Sequence, residues 1–172
     1  MDDPVAYFLT AHTYGSRLHR DAAGSVDDDH RRPGSPYYRR NDARVRFERS
    51  LMTQPPVALN VRERSCVQDR IVAVCAHRGW SLLASHIRST HWHVVVSAEG
   101  ASPERVLNDF KAYATRGLRE AGLIDSDRRV WSRHGSTKYV ADFDSLRRVV
   151  EYVVSGQGDP LEPPPICEFD AS

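Results

Sequence analysis

Two short segments carry side chains whose types and spacing suit chemistry. The first is His91-Trp92-His93, in the run Ser89-Thr90-His91-Trp92-His93-Val94-Val95-Val96-Ser97. In a strand, residues i and i+2 point to the same face. Both imidazoles would then project together and hold one divalent ion, while Trp92 turns to the other face and into a core. The second is Ser145-Leu146-Arg147-Arg148-Val149-Val150-Glu151-Tyr152-Val153-Val154-Ser155. With Leu146 at zero and about 100° per residue, Val149, Val150, Val153 and Val154 fall within roughly 80° of it, and Tyr152 lies near 240°. A helix so patterned packs its valines and presents the phenol. A phenolate can attack a phosphodiester and hold the phosphate covalently. A divalent ion makes the phosphate a better electrophile. Because the bond energy stays in the phosphotyrosine, rejoining needs no ATP.

The elements that must position these groups follow from local signals. Residues 5–14, rich in aromatic and β-branched side chains, read as a first strand ending at Gly15. Residues 15–40 hold Gly24, Pro33, Gly34, Pro36 and an Asp27-Asp28-Asp29 run, the composition of a long surface loop. A short polar helix is expected at about 41–52. Asn60 is a fitting N-cap for a helix over 61–78, with Val67, Ile71, Val74 and Cys75 at helical spacing and Gly79 as the stop. Residues 80–88 and 91–98 read as a hairpin whose second arm begins with the histidine pair. Ser102-Pro103-Glu104 starts a helix that runs to about Ala121. Residues 128–141 suggest a hairpin turning at Gly135-Ser136, and Asp144 a cap for the last helix. The order predicts an α+β fold, an antiparallel sheet with helices packed mainly on one face.

Composition narrows the class. The 172 residues, 40% hydrophobic and 27% charged, suit one domain with a buried core. No apolar run reaches the length of a membrane span, and Met1-Asp2-Asp3-Pro4 does not read as a signal peptide. Three cysteines with no CxxC pair fit a reducing cytoplasm better than a disulfide framework or a cysteine zinc site. Net charge is only +1, yet of 24 cations only Lys111 and Lys138 are lysines. Arginine forks grip phosphate, although biased genomic composition also produces such a ratio.

Three stretches together resemble a known family: His91–Ser97, the segment Arg105-Val106-Leu107-Asn108-Asp109-Phe110-Lys111-Ala112-Tyr113, and Val130-Trp131-Ser132-Arg133-His134-Gly135-Ser136-Thr137-Lys138-Tyr139 running into the Tyr152 helix. They are similar to the single-tyrosine HUH transposases of the insertion-sequence type, and more closely to their REP-associated relatives. The similarity runs from about residue 5 to 158, leaving 159–172 as a Pro-rich tail. It implies a ferredoxin-like or RRM-like HUH fold. It implies that His91 and His93 bind Mg²⁺ or Mn²⁺, that Tyr152 is the nucleophile, and that Gln157 completes the metal site. The implied substrate is single-stranded DNA with hairpins, nicked and rejoined through a 5′-phosphotyrosine with release of a 3′-OH. A homodimer is implied, in which each tyrosine helix serves its own or its partner's site.

The chain departs from that pattern in two places. Gln157 follows Tyr152 by five residues rather than four, with Gly156 between them, which puts it about 140° around a continuous helix. The 15–40 loop is an elaboration. Lys111, Arg133, His134 and Lys138 are the expected DNA contacts, and His12 and His86 are further ligand candidates on neighbouring strands. Tyr113 and Tyr139 compete with Tyr152, but Tyr113 reads as packed beside the buried face of its helix and Tyr139 as a sheet residue. The altered Tyr–Gln spacing also admits a non-catalytic DNA- or RNA-hairpin-binding protein on the same scaffold. An unrelated metal hydrolase would need a third protein ligand, which no motif supplies.

Overall fold

The computed structural model describes residues 4–16 and 42–155. Most of the expected 15–40 loop, Gln157 and the Pro-rich tail lie outside the described residues. The elements run β1 (Ala6–Thr13), α1 (Asp42–Ser50), α2 (Val61–Arg78), β2 (Ser81–Ile87), β3 (His91–Ser97), α3 (Pro103–Glu120), β4 (Trp131–Val140) and α4 (Phe143–Ser155). The strands form one antiparallel sheet in the order β2-β3-β1-β4. No helix among the described residues is long and apolar enough to cross a membrane.

The caps act as the sequence signals require. The Asn60 side chain accepts the Glu63 N–H while the Glu63 carboxylate accepts the Asn60 N–H, a closed capping box. The Ser102 hydroxyl caps α3 in front of Pro103. Gly79 and Gly122 follow their helices with φ near +70° and +64°, a conformation that costs glycine least.

Helices α2 and α3 cover one face of the sheet. There Leu9, Ala11, Trp92, Val94 and Val96 from the strands meet Val67, Ile71, Val74, Val106, Phe110 and Leu118 from the helices. The other face carries α4 and a smaller cluster, in which Val153 is buried among Ala6, Ala84, Val95 and Val140. The expected α+β architecture is present, with two long helices on one side and α4 on the other.

Two local expectations are corrected. Residues 128–141 are not a hairpin: 131–140 form a single edge strand, and Gly135 pairs with Ala11 in mid-strand. Its glycine is required for close approach rather than for turning. A Cβ there would lie 2.6 Å from the Thr10 carbonyl oxygen and 2.8 Å from a Leu107 methyl. Helix α4 also begins two residues earlier than expected, because Asp142 rather than Asp144 accepts the Ser145 N–H, at 2.8 Å.

Candidate active site

Strand pairing assembles the site. Residues directly opposite each other in an antiparallel pair share a face. On β3, His91 and His93 stand opposite His12 and Thr10 of β1. His86 of β2 stands opposite His93, while Ser136 and Lys138 of β4 stand opposite Thr10 and Phe8. Trp92 points away into the main core, fully buried. The alternation expected from His91-Trp92-His93 is therefore realised. The rings of His91 and His93 lie 5.0 Å apart, and those of His12 and His91 5.5 Å apart.

His93 is held most firmly. It is 9% exposed, its ring stacks on Phe8 at 5.5 Å, and its Nδ1 is 2.8 Å from the Thr10 hydroxyl. Burial, reinforced by His91, His12, His86 and Arg88, pushes its pKa down to about 4. The ring is neutral at neutral pH, the form that binds metals. In the tautomer whose Nδ1–H donates to the Thr10 hydroxyl, Nε2 carries the lone pair. The Nδ1 of His91 lies 3.1 Å from the Thr90 hydroxyl.

Helix α4 brings Tyr152 over this face. With Val153 anchored in the small cluster, Tyr152 and Val154 diverge by about 100° to either side of it. Val154 is exposed, against the expectation that it joins the apolar stripe, whereas Tyr152 is half-exposed and turned toward β3 and β1. Its ring is edge-on to Phe8 at 6.2 Å and lies 5.9 Å from His93. Phe8, Thr10, His12, His91, His93, Ser136, Lys138 and Tyr152 line one open pocket of about 490 Å³.

The other expected site residues fall elsewhere. Arg133 and His134 are exposed on edge strand β4. Lys111 is a correction. It is 8% exposed, on the helix side of the sheet, and its ammonium donates to the carbonyls of Ser132 and His134 at 3.1 and 3.2 Å. It braces β4 from the face opposite the histidines. Tyr113 packs against the main core under the Arg116 guanidinium, and Tyr139 stands edge-on to Tyr7. Thr10, Phe8 and Ser136 were missed because only strand register brings them to the histidines.

The donor set suits a cation in part. Two imidazoles, of which His93 is held neutral and oriented, offer two ligands. Among the described residues, no three His, Cys, Asp or Glu side chains converge closely enough to hold an ion. The remaining positions would fall to water, a hydroxyl or a substrate phosphate oxygen, the ligands that Mg²⁺ and Mn²⁺ accept. The Thr10 bond has a measurable consequence. If His91 and His93 hold Mn²⁺, Thr10→Val should weaken that binding about 10–100-fold, the usual cost of losing a residue that orients a ligand. Thr10→Ser should restore it, with tryptophan quenching by Mn²⁺ as the readout.

Among solved structures, the chain matches a REP-associated tyrosine transposase bound to a REP hairpin, with a TM-score of 0.50 at 11% identity. The match covers 88% of this chain and 66% of that one, so the chain spans slightly less than two thirds of its length. The fold is that of a REP-associated tyrosine transposase. A candidate transposase from Deinococcus radiodurans also matches, with a TM-score of 0.46 at 12% identity, over 91% of this chain and 93% of that one. No family model and no curated protein matches the sequence. The resemblance first carried by three sequence stretches thus extends to the transposase fold, with four antiparallel strands and helices on both faces.

Proposed function

We propose that this protein cleaves and rejoins single-stranded DNA next to a hairpin, with Tyr152 as nucleophile and a Mg²⁺ or Mn²⁺ ion held by His91 and His93. One observation carries the reading: the phenol of α4 and the oriented imidazole of His93 meet in one pocket, 5.9 Å between ring centres. The fold shared with a transposase bound to a REP hairpin supports a hairpin substrate.

In this reading, the Tyr152 oxygen forms a bond to phosphorus as the bond from phosphorus to the 3′ oxygen breaks. The phenolic proton passes to solvent, and the leaving 3′ oxygen takes one up. The products are a 5′-phosphotyrosine and a free 3′-OH, and the reverse attack by a 3′-OH rejoins the strand. A divalent ion, when bound, polarises the scissile phosphate. Thr10 orients the His93 ring through its Nδ1, and Phe8 walls the ring on one side. Lys138, at the pocket rim, places a positive charge near the phosphate.

The test is an adduct assay. The protein is incubated with end-labelled single-stranded DNA carrying a hairpin, and products are resolved on a denaturing gel. A covalent protein–DNA band is expected with Mn²⁺ at lower concentration than with Mg²⁺, because a site with two imidazoles and no carboxylate is softer than Mg²⁺ prefers. Hairpin binding without any adduct under either ion would instead establish the non-catalytic reading.

A further inference from the structure

The proposed chemistry leaves one histidine of this face without a task. His86 stands on β2 opposite His93, two residues from Ala84, so the side chains of 84 and 86 share one face of the strand. Among the described residues no three possible ligands converge, so His86 does not join His91 and His93 around one ion. Its surroundings point to α4 instead. Val153, the one fully buried residue of that helix, packs with Ala84 and Val95. Beside that contact the half-buried His86 ring hydrogen-bonds the Val153 backbone. Burial, with Arg88, lowers the pKa of His86, and the Val153 contact opposes this, which marks the backbone group as the carbonyl. A neutral imidazole donates to it through its single N–H.

Helix α4 has a use for such a donor. The last four carbonyls of a helix have no N–H of their own helix to accept, and with α4 ending at Ser155 the Val153 carbonyl is one of them. No basic residue stands in the last turn, where a cationic side chain would be favoured. The hold on the sheet is also thin, since Leu146, Val149 and Val150 are only partly buried. A single side chain in a socket leaves a helix free to tilt. A hydrogen bond to a carbonyl, which points along the helix axis, resists that tilt.

We infer that His86 is a positioning residue, whose imidazole N–H holds the Val153 carbonyl and so fixes the neighbouring Tyr152 over the histidine pair. The inference rests on the proposed function and adds how the nucleophile is aimed. Tyr152 is half-exposed, so its own packing does not fix it. Because His86 pairs with His93 across β2 and β3, one rung of the sheet places both the metal ligand and the tether of the nucleophile.

His86→Phe tests this, since it keeps an aromatic ring and removes the donor. Hydrogen–deuterium exchange in residues 149–155 should speed about five-fold, the worth of one hydrogen bond, with exchange in the other strands and helices unchanged. With end-labelled single-stranded DNA carrying a hairpin, at saturating DNA and Mn²⁺, adduct formation should slow about 10–100-fold, as misplacing a reacting group does. Affinity for Mn²⁺, read by tryptophan quenching, and for the hairpin should be unchanged. Of His86→Asn and His86→Gln, whose amides stand in for Nδ1–H and Nε2–H, one should restore both the slow exchange and the rate. Unchanged exchange in His86→Phe overturns the tether, and restoration by neither amide overturns the donor as its cause. A fall in Mn²⁺ affinity makes His86 a ligand instead. A wild-type protein that forms no adduct overturns the proposed function and the aiming of Tyr152 with it, while the exchange result still decides whether His86 holds α4.

Discussion

Tyr152→Phe should bind hairpin DNA and Mn²⁺ as the wild type does, yet form no covalent adduct, a loss on the order of 10³-fold or more in cleavage rate. The substitution deletes only the oxygen proposed to attack phosphorus. Phenylalanine keeps the edge-on contact with Phe8 and the ring contact with His93. Val153, not residue 152, anchors α4 to the sheet, so the thermal midpoint should barely move. The two other tyrosines near the family-like segments set the contrast. Tyr113 lies against the main core beneath Arg116, and Tyr139 stands edge-on to Tyr7. Phenylalanine at either position should leave the adduct band intact. An adduct that survives in Tyr152→Phe sinks the assignment of the nucleophile, and one lost in Tyr113→Phe would move it to α3.

What the sequence made legible was what neighbouring residues decide. Asn60, Gly79, Ser102-Pro103 and Gly122 act on backbone groups within a turn of themselves, and they place the ends of α2 and α3 closely. The shared face of His91 and His93 follows from strand alternation alone. The offset of Tyr152 from the valines follows from helical period. Other features depend on partners far along the chain. Gly135 resembles a turn residue locally, but its role is to let β4 approach the Thr10 carbonyl and Leu107. Lys111 reads as a DNA contact until β4 supplies two carbonyls for its ammonium. The Thr10 hydroxyl reaches His93 only through the register between β1 and β3, across 83 residues of sequence. That Tyr152 lies over the histidines depends on Val153 dropping among Ala84, Val95 and Val140 of three different strands, which no helical wheel contains.

The residue between the histidines controls stability as they control the proposed chemistry, and the two roles should separate by mutation. Trp92→Ala should cost about 3–5 kcal/mol, a large share of the roughly 5–15 kcal/mol that holds a domain together. The indole is fully buried and meets Phe110 and Trp131 edge-on at 6.1 and 6.2 Å. The cavity would also loosen Trp131, which ties β4 to α3 through Lys111 and Thr115, so DNA binding should fall with stability. Trp92→Phe should behave differently. The indole Nε1 is buried with no hydrogen-bond partner among the described residues, an arrangement that costs about 1–3 kcal/mol. Phenylalanine removes that nitrogen while keeping an aromatic ring against Phe110, and the relief offsets part of the lost volume. Urea unfolding should therefore rank the proteins wild type, then Trp92→Phe close behind, then Trp92→Ala far below, with Mn²⁺ binding retained in the phenylalanine variant because both histidines remain on the opposite face of β3. Equal destabilisation by Phe and Ala would mean that removing the indole nitrogen brings no relief.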